Sequence, residues 1–237
     1  MTVPGHTDPN RHDTRYRTPA VDVVLGSASP ARLSVLRRSG LHPRVVVSEV
    51  DEDAILEGLA AAPADDTLAR LAMAKSDAVV AKLMVERAGI HKDSRTDTIV
   101  LACDSMLAFR GTLTGKPHTV ETAIAQWKRV RGHSAQLLTG HHLALIRGLD
   151  VVAAVSETCS TTIEFADLDD AEIAAYVATG EPLEVAGGFT LDGLGGWFIN
   201  AVDGDPSSVI GISLPTVRRM LRRVGIAVAD LWSGVAG

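Results

Sequence analysis

Cysteine, aromatic residues and surplus positive charge are what this chain has least of. Cys103 and Cys159 are its only cysteines, too few for a disulfide framework or a CxxC zinc pair, and they suit a reducing cytoplasm. Lys and Arg number 23 against 29 Asp and Glu, a formal net charge of −6, so no cation excess exists to neutralise a nucleic-acid backbone or an anionic membrane. No apolar run approaches about 18 residues, which leaves no candidate membrane span. The phosphate-loop pattern GxxxxGKS/T and a GxGxxG after a strand are both missing. His141 and His142 alternate across a strand and cannot chelate one metal from one face. Ser105 lacks a nucleophile-elbow setting. An anionic ligand would therefore be small and gripped by a few local cations, with or without a metal.

What is present is a globular composition, 46% hydrophobic and 22% charged over 237 residues, enough for one large domain or two small ones. Residues 1–20, with Pro4, Gly5, Pro9, His12 and Pro19 and no apolar segment, read as a flexible tail rather than a signal peptide. With no linker downstream, 21–237 reads as a single domain.

The stretch "VVLGSASPARLSVLRRSGL" predicts a strand over 23–25, a tight turn and a helix with Ser29 as N-cap, Pro30 in its first position and Gly40 as its stop. A strand over 45–47 is expected to run into an acidic loop. A long helix starting at Asp65 shares one stripe among Leu68, Leu71, Ala72, Val79 and Leu83 and ends at Gly89, before a loop from His91. "TIVLACDS" reads as a buried strand ending at Asp104, followed by a hairpin around Arg110 and Gly111. A helix capped by Thr119 and stopped by Gly132 precedes strands over 134–146 and 151–165, joined at Gly148. Asp169 and Glu172 form a capping box. A glycine-dense stretch, "AGGFTLDGLGG", leads to a strand "WFINAV", a loop "DGDPSS", a helix with Pro215 in its first turn, and a tail. Adjacent strands amid irregular alternation favour an α/β fold with a mixed sheet flanked by helices.

Several residues resist a purely structural reading. Ser27, Ser29 and Arg32 surround a helix N-terminus, which is either an ordinary capped end or an anion site. Lys75 lies on the apolar face of its helix, so it either snorkels to water or meets an anion. Asp104 either caps a turn or occupies the strand-exit position where such sheets place ligands. Lys116, held in a stiff turn between Gly115 and Pro117, is a loop charge or a phosphate contact. Glu49, Asp51, Glu52 and Asp53 are a solvated loop or hard-metal ligands. Together they suit a triphosphate, a divalent metal and a base for attacking water.

These residues fall in motifs that resemble the Maf nucleotide pyrophosphatases. "LGSASPARLSVLRRSGL" resembles the family's opening L-A-S-x-S-P-R-R. "VDE" at 50–52, "AMAKSDAV", "ACDSM", "LTGKPHTVETA", "RGHSAQLLTG", "YVATGEPLEVAGGF" and "GDPSSVIGISL" follow in family order, covering about 21–224. The resemblance implies two lobes around a cleft, as in inosine triphosphate pyrophosphatases. It implies hydrolysis of a nucleoside triphosphate to monophosphate and pyrophosphate with Mg²⁺ or Mn²⁺, often in a homodimer. By motif position it makes Asp104 the general base. Ser29, Arg32, Lys75 and Lys116 become phosphate contacts, with Ser27 beside them, and Glu49 or Glu52, together with Asp104, metal or water contacts. Ala31 replaces the first arginine of the family pair. "EVAGGFTLDG" stands for D-K-A-G-A-Y-G-I-Q-G, so Val185, Phe189 and Asp192 replace Lys, Tyr and Gln where the base is read. These replacements keep a second reading open, a nucleotide-binding regulator of cell division and septum formation with weak or no turnover.

Overall fold

The computed structural model describes residues 21–88 and 96–232. The expected tail over 1–20, the Gly89 stop and most of the loop from His91 lie outside them. β1 (Val21–Leu25) leads through a turn into α1 (Pro30–Arg38). Ser29 caps α1 by accepting the Arg32 N–H, and Gly40 leaves it with φ 87°, as read from sequence. β2 is shorter than expected, Arg44–Val45. The acidic stretch is not a loop throughout: Asp51 accepts from the Ala54 N–H and caps α2 (Glu52–Gly58), with Glu52 and Asp53 in its first turn. Negative charge there complements the helix dipole.

α3 (Ala64–Ala88) buries Leu68, Leu71, Ala72, Lys75, Val79 and Leu83 along one stripe. It lies against the sheet formed by β1, β2, β3 (Asp97–Phe109), β4 (Thr112–Thr114), β5 (Ser134–Arg147), β6 (Asp150–Phe165) and β7 (Ile199–Asp203). The order is β2-β1-β3-β5-β6-β7, with β4 paired to β3. β1 runs parallel to β2 and β3, and the remaining pairings are antiparallel. The mixed sheet flanked by helices is the fold expected from the sequence.

Leu25, Leu101, Cys103 and Leu143 pack on one face with α1 and α7 (Leu214–Arg223). Val24, Val100 and Ala144 pack on the other with Val79 and Leu83 of α3. A third cluster, around Trp127 of α4 (Val120–Val130), takes in Phe165, Phe189, and Ile173 and Tyr176 of α5 (Asp170–Ala178). Trp197 and Phe198 belong to a 3₁₀ turn rather than to the strand expected there, and Asp205 caps a short helix, α6 (Pro206–Val209), inside "DGDPSS". The described part of the expected C-terminal tail, up to residue 232, folds back so that Leu231 is buried beside α1 and α7; 233–237 lie outside the described residues. No helix of the described residues is long and apolar enough to cross a membrane.

One topological detail makes the cleft. β1 accompanies β3 only as far as Leu25↔Leu101, and β4 takes up the same edge only from Leu107↔Thr114. Between them, residues 102–106 of β3 have a strand partner on one side alone, β5. Asp104 is therefore not at the end of a strand, as expected, but midway along one. The long pairing with β5 carries β3 onward after β1 has stopped.

Gly140 pairs with Asp104 in the β3·β5 register. A Cβ there would lie 2.2 Å from the Leu68 carbonyl oxygen, so α3 rests directly on the sheet at this point. Gly140→Ala should lower stability by about 1–3 kcal/mol, the usual cost of overpacking. Gly58→Ala, whose Cβ meets nothing within 4 Å, should change it little. Denaturant unfolding of both variants measures the difference.

Candidate active site

The gap beside β3 opens into a cleft of about 1030 Å³. Every candidate residue of the sequence reading lines it: Ser27, Ser29, Arg32, Glu49, Glu52, Lys75, Asp104, Lys116 and Asp192. They come from α1 and the turn before it, the segment leading into α2 and the first turn of that helix, α3, the middle of β3 and two later loops.

Lys75 settles its own alternative by meeting anions. Its side chain is 7% exposed, and Nζ donates to Asp104 Oδ1 at 2.5 Å and lies 2.8 Å from Glu52 Oε1. Asp104 shares its parity along β3 with Val100 and Ala102, which turns it toward α3. Glu52 closes the pair from the solvent side, half-exposed at the first turn of α2. Among the described residues, the side-chain hydrogen bonds of Asp104 engage Oδ1 alone.

Arg32 is bound into the protein from several sides. Nε donates to the Gly211 carbonyl at 2.8 Å, and Nη1 to the Cys103 carbonyl at 2.8 Å and to Ser27 Oγ at 3.1 Å. Nη2 donates to Ser105 Oγ at 3.3 Å. Of the five N–H groups of a guanidinium, one on Nη2 has no partner among the described residues. Ser27 Oγ also accepts from the Ser29 N–H, so its own proton can go to an anion. Ser105, set aside as a nucleophile, joins this support through Thr139 Oγ1 at 3.0 Å. Its partner Arg32 and the loop at Gly211 are 179 residues apart, a contact that no sequence spacing reveals.

On the rim, Lys82 donates to Glu49, whose φ is 56°. Lys82 was not a candidate in the sequence. Its hydrogen bond and charge hold the Glu49 carboxyl below its ordinary range. Lys116 is half-exposed, 3.9 Å from Glu184, which also faces His118. Val185, Phe189 and Asp192 line the opposite wall.

Other titratable groups near the cleft serve the fold. Burial pushes the Cys103 thiol up to about 12, against the pull of Arg32, so it is no thiolate nucleophile. Burial and the Arg32 charge lower His141 to about 4. Its Nε2 accepts from the Ser213 N–H at 2.9 Å, and its Nδ1 has no hydrogen-bond partner among the described residues. His142 bonds Ser156 on the other face, in line with strand alternation. Among the described residues no three His, Cys, Asp or Glu side chains group closely enough to hold a metal ion.

The Maf-like protein family matches residues 22–224. A protein of Mycobacterium sp. (strain JLS) named nucleoside triphosphate pyrophosphatase is 53% identical over 212 residues, 89% of this chain and 98% of its own length. Proteins of the same name from Saccharopolyspora erythraea and Corynebacterium diphtheriae are 50% and 47% identical, over 88% and 90% of this chain and 96% and 99% of their own. The blocks quoted from the sequence lie within the matched span. The chain belongs to the Maf-like protein family.

Proposed function

We propose that this protein is a nucleoside triphosphate pyrophosphatase, cleaving the triphosphate between its α- and β-phosphorus atoms. The observation that carries this reading is the grouping of Asp104, Lys75 and Glu52 beside the Ser27–Arg32 turn, in one cleft at a break in the sheet edge. The names of the relatives support it.

In this mechanism the phosphate chain lies along the turn before α1. It takes the Ser27 hydroxyl, the free N–H of Arg32 and the helix N-terminus, with Lys75 and Lys116 adding charge. A water molecule is held by Asp104. Its oxygen attacks the α-phosphorus, its proton passes to the carboxylate, and the bridging P–O bond breaks to release pyrophosphate. The donors suit a hard divalent cation: Glu52 and Asp104 offer carboxylate oxygens, and Mg²⁺ or Mn²⁺ needs only one or two of these when phosphates complete its shell. Such an ion would neutralise charge on the phosphate oxygens. Glu49 would join only by releasing Lys82. A single domain over 21–237 behind a polar tail, a homodimer and a cytoplasmic location complete the proposal, supported by the family resemblance and the scarcity of cysteine.

Phosphorus NMR of a quenched reaction with Mg²⁺ or Mn²⁺ should contain monophosphate and pyrophosphate and no diphosphate. Diphosphate with orthophosphate would place the attack elsewhere. Retained nucleotide binding without turnover would favour the regulatory reading. Asp104→Asn should lower kcat about 10²–10⁴-fold, the usual worth of a general base. The fold should persist, because Glu52 still faces the Lys75 ammonium. Steady-state kinetics, nucleotide affinity and Tm on one preparation test this, and a near-normal kcat removes Asp104 from the mechanism. Asp192→Gln combined with Val185→Lys restores donors to the far wall and should shift kcat/KM toward thymidine or uridine triphosphate across a base panel.

A further inference from the structure

The glycine-dense stretch after α5 has a structural centre that the mechanism does not use. Glu181, half-buried and outside the cleft lining, collects four donors. Tyr176 Oη gives to Oε1 at 3.1 Å and the Thr190 hydroxyl to the same oxygen. The backbone N–H of Leu194 gives to Oε2 and that of Gly195 to Oε1, both at 2.9 Å. All four partners are neutral donors, so only an acceptor with several lone pairs fits among them. Burial raises the Glu181 carboxyl, but Thr190, the two amides and Tyr176 outweigh it and hold it below its ordinary range.

The loop is built to wrap this carboxylate closely. A Cβ on Gly193 would come within 2.7 Å of Glu181 Oε2, and one on Gly195 within 2.5 Å of Tyr176 Oη. The segment between Thr190 and Leu194, clamped at both ends, carries Asp192 to the cleft wall. Glu181 itself lies beneath that wall.

We propose that Glu181 is a positioning residue that holds the Thr190–Gly195 loop, and with it Asp192, in the place from which the nucleoside is discriminated. This rests on reading the cleft as the triphosphate site. Glu181 does not touch the nucleotide, so its loss should spread the positions of Asp192 without disturbing Asp104, Lys75 or Arg32. Discrimination among bases should then suffer far more than turnover.

The test compares wild type, Glu181→Gln and Thr190→Val. In Glu181→Gln the amide NH₂ would confront donors, whereas Thr190→Val removes one donor and keeps the carboxylate. Hydrogen exchange at the Leu194 and Gly195 amides should speed up in Glu181→Gln. The spread of kcat/KM across adenosine, guanosine, cytidine and uridine triphosphates should narrow roughly tenfold or more, an effect of the size that small misplacements produce. The change should reside in KM, with kcat for the best substrate nearly unchanged. Thr190→Val should move in the same direction by less, and it carries the test if Glu181→Gln fails to fold. In an Asp192→Ala background, Glu181→Gln should narrow the spread no further. An unchanged spread in a variant whose loop amides exchange faster, or a uniform loss of kcat for every base, would overturn the proposal. If wild type hydrolyses neither these four nor thymidine triphosphate, the functional reading fails by itself. The Kd values of the same triphosphates then decide Glu181, with an unchanged spread counting against it.

Discussion

Lys75 sits on the sheet-facing stripe of α3 with 6% of its surface exposed, and an ammonium in that position without partners would cost several kcal/mol. Asp104 and Glu52 answer it. The requirement reaches outward from there. α3 must come close enough for Lys75 to meet a strand residue, which the missing side chain of Gly140 permits. β3 must present a carboxylate on the α3 side in mid-strand, and α2 must begin where Glu52 can close the pair from solvent. An ammonium between two carboxylates, one nearly buried and one half-exposed, is also a site that a more highly charged anion or a cation can reorganise.

The second constraint is the break in the edge of β3. A strand edge within a sheet exposes backbone donors and acceptors that need partners. Here part of that demand is met by a side chain: the Cys103 carbonyl accepts from Arg32 in place of a neighbouring strand. The same guanidinium holds Gly211 and Ser105, tying the first helix to the loop after α6 across the face of the sheet. Arg32 is thus a structural tie as well as a proposed ligand contact, and its one N–H without a partner among the described residues is fixed by the other bonds. Such preorganised donors are what stabilise charge without reorganisation.

The two walls of the cleft are built by different means. The side proposed to hold phosphate rests on a strand, two helices and charge. The far side is a run of 3₁₀ turns and glycines stiffened by one carboxylate and by Trp127, whose Nε1 donates to the Gly188 carbonyl at 2.8 Å. On the proposed reading, changes in base preference can therefore accumulate at Val185, Phe189 and Asp192 without disturbing the proposed phosphate contacts.

Local signals in the sequence determined the elements with strong periodicity and caps. Ser29 with Pro30, the stripe along α3, Thr119, and the Asp169–Glu172 box each act within a few residues, and each is found where it was read. The mixed α/β class followed from the same signals, and the ordered motifs pointed to residues that the fold brings into one cleft. Tertiary structure alone decided what depends on contacts between distant segments. That β3 runs past Asp104 depends on β5, that Lys75 is answered depends on α2 and β3, and that Glu49 turns to Lys82 depends on α3. The clamp of Glu181 on two backbone amides leaves no trace in residue type, because a backbone N–H belongs to almost every residue and only the folded loop aims it.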